Sequence, residues 1–384
     1  MAAESRPTRV LMSADTVGGV WSHALELAAG LGARGVQVAL ATMGAPVSAA
    51  QRDQLARLPT VTLHESDYRL EWMAEPWRDV RDAGDWLLRL ERELRPDLVH
   101  LNQFAFGALP FAAPTLLVAH SCVLSWWRAV HGEAAPAAWA RYRRAVVQGL
   151  AGADLVGAPT RAMLASLAHN YGHDRGGLVL PNARDAAVYA PGPKQPFVLS
   201  AGRLWDAAKN LSALEAVAPR LAWPVRVAGS NAQPTGGVRE SHGVQPLGEL
   251  APEALAAQFA HAAIYALPAR YEPFGQTALE AALAGCALVL GDVPSLREVW
   301  GPAALYVAPD DHAALHAALR RLIADTPARE RAARRARARA LQFSPARMVE
   351  AYLDAYRRVR VARDGRDVRH WRRAGRPRET ACAS

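Results

Sequence analysis

Tyr271-Glu272-Pro273-Phe274-Gly275-Gln276-Thr277-Ala278-Leu279-Glu280 follows an apolar run at 264–267 and opens a helical pattern at about Gly275. Strand, short loop and helix in that order make one unit of a parallel α/β sheet. Glu272 stands in the loop, and Glu280 lies two turns along the helix. Amides at the helix start, those of Phe274 and Gly275, suit a phosphate or a sugar hydroxyl. Carboxylates suit sugars because they accept hydrogen bonds from vicinal hydroxyls. Alone, a carboxylate pair at this spacing reads first as two surface residues, so its surroundings decide.

Outward from that stretch, short apolar runs alternate with longer amphipathic ones along most of the chain. The first half predicts strands at 8–13, 36–42, 60–64, 97–101, 114–120, 153–158 and 177–180, with helices at 20–34, 77–95 and 139–150. Pro181-Asn182-Ala183-Arg184 and Pro191-Gly192-Pro193 then form the best linker in the sequence. Beyond it the alternation restarts, with strands at 197–201, 225–228, 263–267, 287–290 and 304–307. Helices are expected there at 211–218, 252–261, 275–284, 312–324 and 328–341. A last helix opens after Ser344-Pro345 and is expected to end near Val359. The 384 residues exceed what one core usually serves, about 250–300, so two doubly wound α/β domains are expected. The divisions are 1–190, 191–342, a closing helix at 343–362 that returns to the N-terminal domain, and a basic, mobile tail at 363–384. A ligand belongs between the domains, at the carboxyl ends of their strands.

A GxGxxG at Gly30–Gly35 ends a predicted helix and precedes a strand, the reverse of the context a dinucleotide site needs. Gly18-Gly19 is better placed, after the first strand and at the opening of a helix. It allows close approach of a ligand to the backbone, although an ordinary βα loop reads equally well. Gly202-Arg203-Leu204-Trp205-Asp206-Ala207-Ala208-Lys209-Asn210 puts two cations in the loop after the second domain's first strand. Two cations there suit a diphosphate whose charge grows as a sugar leaves. A solvated loop is the plainer reading.

Together these segments resemble glycosyltransferase family 4, the retaining GT-B enzymes, from Thr8 to about Val359. The carriers are Gly18–Val20, Gly202–Asn210, the E-x7-E pair Glu272 and Glu280 with its EPFG start, and Gly291-Asp292-Val293-Pro294-Ser295-Leu296-Arg297-Glu298. The resemblance implies a GT-B fold, two Rossmann-like domains facing across a cleft. It also implies transfer of a hexose from a nucleotide sugar, UDP- or GDP-linked, with retention. Arg203 and Lys209 would grip the donor diphosphate, Glu272 would face the transferred sugar, and Glu280 the ribose. Gly18 and Gly19 would lie against the donor, and His120 would match the family histidine beside the reacting centre. His100, Asn102, Trp126 and Trp127 are candidate acceptor contacts. The acceptor would be a saccharide, a lipid-linked sugar or a small molecule. The chain departs from the family in its linker, where PNGVD is replaced by Pro181-Asn182-Ala183-Arg184-Asp185, and in Asp206, where Glu is common. A nucleotide-sugar epimerase would turn over donor without an acceptor. A non-catalytic nucleotide-sugar-binding protein is the other alternative, although it need keep none of His120, Arg203, Lys209, Glu272 and Glu280.

No Asp-x-Asp occurs and no ligand cluster suggests zinc, so neither metal nor cofactor is expected. The three cysteines are far apart and fit a reducing compartment. With no apolar run long enough to span a bilayer and no signal-peptide pattern, the cytoplasm is the expected location. Net charge is +9, and the excess lies largely between Arg329 and Arg378. No nucleic-acid module accompanies it, so nucleic acid is not expected. Peripheral contact with an anionic membrane face is.

Overall fold

The computed structural model describes residues 7–231, 237 and 239–374; for 362 and 364–374 only the backbone is described. Seven parallel strands form the first sheet: β1 (Arg9–Asp15), β2 (Gln37–Met43), β3 (Val61–Glu65), β4 (Leu98–Leu101), β5 (Thr115–Val118), β6 (Leu155–Ala158) and β7 (Leu178–Val179). Their order is β3-β2-β1-β4-β5-β6-β7. A second parallel sheet holds β8 (Gln195–Ala201), β9 (Val225–Ala228), β10 (Gln245–Gly248), β11 (Ala262–Leu267), β12 (Ala287–Gly291) and β13 (Leu305–Val307), in the order β10-β9-β8-β11-β12-β13.

Both sheets are buried on both faces. Val10, Met12 and Leu40 pack on one side of the first sheet, while Leu11, Ala41 and Leu101 pack on the other. Near-continuous apolar runs such as Ala262–Leu267 are what a two-sided parallel strand needs. Strand order reverses between β1 and β4, and again between β8 and β11. Such switch points open a crevice at the carboxyl ends of the strands. Gly18-Gly19 and Asn102 follow the two strands of the first; the Arg203–Lys209 loop and Glu272 follow those of the second. The sequence-predicted residues therefore gather where the topology makes room for a ligand.

The edge strand β10 was not foreseen. Gln245-Pro246-Leu247-Gly248 has no β-branched residue and carries a proline, which an edge strand tolerates because its outward amide needs no partner. A helix at Arg161–Tyr171 was also missed. Thr160 caps it by accepting from the Met163 amide, and Gly172 ends it in the left-handed conformation. Trp126 and Trp127 lie on a further short helix, Val123–His131.

The closing helix runs Pro345–Ala374, well past Val359. Part of the expected basic tail is thus helical, and its first stretch is anchored by Arg363, which donates to Asp154 and to the Phe111 carbonyl. Residues 375–384 of that tail lie outside the described residues. Met348, Val349, Tyr352, Tyr356 and Val359 of this helix complete the core of the first domain. The rejected GxGxxG finds its role in this contact. A methyl group on Gly30 would collide with Val349, so Gly30 lets the closing helix approach the helix Gly19–Gly32. Several arginines of the basic helix Thr326–Ala340 are structural as well. Arg329, Arg337 and Arg339 donate to the carbonyls of Leu322, Leu283 and Val299.

Candidate functional site

On the N-terminal side, Gly18 turns the chain at φ 95° and starts the helix Gly19–Gly32. Asn102, just beyond β4, donates through Nδ2 to the Ser13 carbonyl at 2.6 Å, which fixes its amide orientation. Its Oδ1 therefore accepts from His120 Nε2 at 2.8 Å, leaving His120 Nδ1 as the lone-pair nitrogen of a neutral ring. Burial pushes the His120 pKa down to about 4, so the ring is neutral at ordinary pH. Asn102 thus positions His120.

His100 is a correction. It is fully buried, with Nδ1 at 3.0 Å from the Tyr356 hydroxyl, and so faces the closing helix instead of an acceptor. On a strand, successive side chains point to opposite faces, and position alone did not reveal which face was covered by Tyr352 and Tyr356. His23 joins the same buried group: its ring lies 4.7 Å from that of His120, and its Nε2 is 3.1 Å from the Tyr352 hydroxyl.

On the C-terminal side the cations converge as expected, each against a carboxylate. Arg203 Nη2 donates to Asp206 Oδ2 at 2.9 Å, and Lys209 Nζ to Glu272 Oε2 at 2.6 Å. Burial would raise the Glu272 pKa, but the Lys209 charge and the amides of Gly275 and Phe274 overcome it and hold the carboxyl below its ordinary value. Those amides are a second correction. They donate to Glu272 Oε1 at 2.9 and 3.4 Å, so the carboxylate folds back over the start of the helix Gln276–Leu283 and occupies the groups expected to meet a phosphate. The Phe274 ring is buried against Phe343.

Glu280 is bound by Arg184 of the linker, Nε to Oε1 at 2.7 Å, and both side chains are buried. Trp126 does not present a free ring edge to an acceptor; its indole N–H crosses the cleft to Asp206 Oδ1 at 2.9 Å. Trp127 packs on His131 with ring centroids 4.3 Å apart. Asp206 thereby links Trp126, Arg203 and the Ala208 amide, a role its sequence position gave no sign of.

The two faces of the cleft touch. A methyl group on Gly18 would stand 2.9 Å from Arg203 Nη1, and Gln276 Nε2 donates to the Gly19 carbonyl at 3.3 Å. Tyr271 accepts from the Cys122 amide at 3.1 Å, and Glu298 accepts from the amides of Arg161 and Ala162 at the start of their helix.

Sequence reasoning also missed Asp15, Glu71 and Gln103. Asp15 ends β1, is 8% exposed and has an Oδ1 without a partner among the described residues. The side-chain amide of Gln103 is likewise buried and without a partner among the described residues. Glu71 accepts from the amides of Phe104 and Ala105 at 3.0 and 2.7 Å. Burial raises both carboxyls to about 7, against the pull of Arg203 on Asp15 and of the two amides on Glu71. Asp15 in Ser13-Ala14-Asp15 was visible in the sequence; its burial was not.

Two doubly wound domains with cations, glycines and carboxylates at facing switch points define the GT-B class. The chain belongs to these glycosyltransferases: residues 17–188 match Glycosyltransferase Family 4 and residues 195–325 match Glycosyl transferases group 1. It is 47% identical over 75 residues to a glycogen synthase of Mycobacterium tuberculosis, a stretch covering 19% of this chain and 18% of that relative. The match therefore spans under a fifth of that relative's length. The fold is that of sucrose-phosphate synthase from Thermosynechococcus elongatus, with a TM-score of 0.76 at 18% identity over 92% of this chain and 100% of the other. Anabaena HepE, solved with UDP-glucose, gives 0.68 at 17% identity over 90% of this chain and 98% of the other. No described helix is long and apolar enough to cross a membrane. Among the described residues, no group of three or more His, Cys, Asp or Glu side chains is placed to hold a metal ion.

Proposed function

We propose that the protein is a retaining glycosyltransferase moving a hexose, without metal, from a nucleoside-diphosphate hexose (UDP- or GDP-linked) to a sugar hydroxyl. The observation that carries this is the bare Gly18 backbone lying against the Arg203 guanidinium, which brings the anion-binding turn of one domain to the cation of the other. Arg203 and Lys209 stabilise the charge that grows on the departing diphosphate. The bond from C1 to the phosphate oxygen breaks, the acceptor oxygen bonds to C1 on the same face, and its proton passes to the departing phosphate. Glu272 is held ionised by Lys209 and two amides, so it is poorly suited to act as the acid a glycosidase needs. The HepE structure with UDP-glucose supports a UDP-linked donor as the first to try.

Thermal shift with UDP-, GDP- and ADP-hexoses in EDTA tests the reading. Saturation at a hundred times Kd stabilises a folded protein by ~2.7 kcal/mol. One nucleotide series is expected to raise Tm, and Lys209→Ala to reduce the rise. No shift with any donor would remove this function.

The acceptor end we assign is an uncharged sugar, because Asp15 Oδ1 and the Gln103 amide are buried without partners among the described residues and an ionised Asp15 would repel an anion. Acceptor kcat/KM should then rise with pH through about 7 as Asp15 ionises, and Asp15→Asn should flatten that rise. The stability effect has the opposite sign. A carboxyl raised from 3.8 to about 7 on folding costs nothing below the lower value and most above the upper one. Asp15→Asn should therefore raise Tm at pH 8, at ~2–4 °C per kcal/mol, and leave it unchanged at pH 4. An unchanged acceptor profile in the variant would exclude Asp15 from the site.

Contact with an anionic membrane is proposed for the basic C-terminal end, since three arginines of the helix Thr326–Ala340 are already committed to carbonyls. Flotation on vesicles containing phosphatidylglycerol, lost on truncation after Val359, is expected; flotation indifferent to either change would refute the contact.

A further inference from the structure

The linker arginine, Arg184, has no counterpart in the PNGVD pattern that this chain otherwise resembles. It is 5% exposed and sits where the chain crosses between domains, with Ala183 in the core of the first and its own amide donating to the Phe343 carbonyl. Nε donates to Glu280 Oε1 at 2.7 Å, Nη1 to the Ala183 carbonyl at 3.1 Å, and Nη2 to Gln276 Oε1. Gln276 in turn donates to the Gly19 carbonyl. One guanidinium thus joins the hinge, the carboxylate of the helix Gln276–Leu283 and the glycine turn of the other domain.

Stability alone does not explain such a residue. Removing two charges from water costs several kcal/mol per ion, and well-packed apolar residues commonly replace a buried pair without loss. What an arginine fork supplies in addition is direction, because its planar donors hold a carboxylate in one orientation. A carboxylate has about four lone-pair sites, so the Arg184 N–H at Oε1 and the hydrogen bond to Tyr189 still leave sites to accept from a ligand.

We propose that Arg184 is a positioning residue for the donor: it aims the Glu280 carboxylate at the ribose hydroxyls and ties that aim to closure of the hinge. This rests on the reading above that a nucleoside diphosphate occupies the cleft with its ribose at Glu280. Arg184 acts through Glu280 and does not contact the diphosphate, which Arg203 and Lys209 hold. Its loss therefore affects recognition of the ribose and spares the phosphates.

The test is calorimetric binding of UDP, GDP, their dideoxyribose counterparts and inorganic pyrophosphate to the full chain. A hydrogen bond to a charged group is worth ~1.5–3 kcal/mol, so wild type should prefer the ribose form about tenfold or more. Arg184→Ala should reduce that preference to about twofold or less with pyrophosphate affinity unchanged, and Arg184→Lys should restore it in part. A merely structural role would weaken all ligands together. If Arg184→Ala does not fold, Arg184→Met keeps the volume and leaves Glu280 in place, and the same loss of preference is expected. Retained preference in a folded variant overturns the proposal, as does tighter UDP binding, which would make Arg184 a block on the ribose site. Wild type that binds pyrophosphate and nucleotides without preferring ribose overturns it while leaving the donor reading in place. Wild type that binds none of these ligands removes the donor reading itself.

Discussion

Lys209→Ala lowers glycosyl transfer by about 10²–10³-fold, and it also lowers the unfolding temperature at neutral pH because the buried Glu272 carboxylate loses its charge partner. The magnitude is that of removing one preorganised donor aimed at charge developing in a transition state. Lys209 is partly exposed, and its ammonium donates to Glu272 at 2.6 Å. Its loss also frees Glu272 from the charge that helps hold its pKa down, so the carboxyl pKa rises and the acid limb of the pH–rate profile moves to higher pH. Steady-state kinetics across pH reads both effects. Lys209→Arg keeps the charge and should recover part of the rate. A variant with full kcat and an unmoved acid limb would exclude Lys209 from the reaction.

Tyr352→Ala should have the largest effect on stability, a loss of ~3–5 kcal/mol, the usual range for truncating a buried aromatic side chain. Tyr352 is fully buried in the closing helix, with its ring 5.6 Å from that of His23 and 5.4 Å from that of His100. The helix belongs to the last part of the chain, yet it covers the sheet of the first domain. Denaturant unfolding should show the loss in the transition that reports on that domain. Tyr352→Phe keeps the volume and removes only the hydroxyl beside His23 Nε2, a change of ~1 kcal/mol. An alanine variant within ~1 kcal/mol of wild type would mean that this helix contributes little to the first domain.

These two residues show how unevenly the molecule was legible. Lys209 could be read because a strand, a glycine and a cation in order place the loop at a switch point, and chain order alone gives that much. The alternation of apolar runs similarly located most strands within a few residues, except β10, whose proline and glycine hide it. Side-chain direction was another matter. His100 and Asn102 are two residues apart at one strand end, but one faces the closing helix and the other holds His120. Nothing near His100 announces Tyr356, which lies far along the chain. Arg184 was visible only as a departure from a pattern, since its partners Gln276 and Glu280 come from the second domain. The amides of Phe274 and Gly275 were correctly placed at a helix start, but the carboxylate two residues before Phe274 claimed them first. Long-range pairing decided each of these, and local spacing does not encode it.

The most direct test of the account is the anomeric configuration of the product, read by NMR from a reaction run in EDTA with the α-linked nucleotide hexose that the thermal-shift panel selects. The account predicts an α-linked product at an undiminished rate. A β-linked product, or transfer that requires a divalent metal, would contradict it.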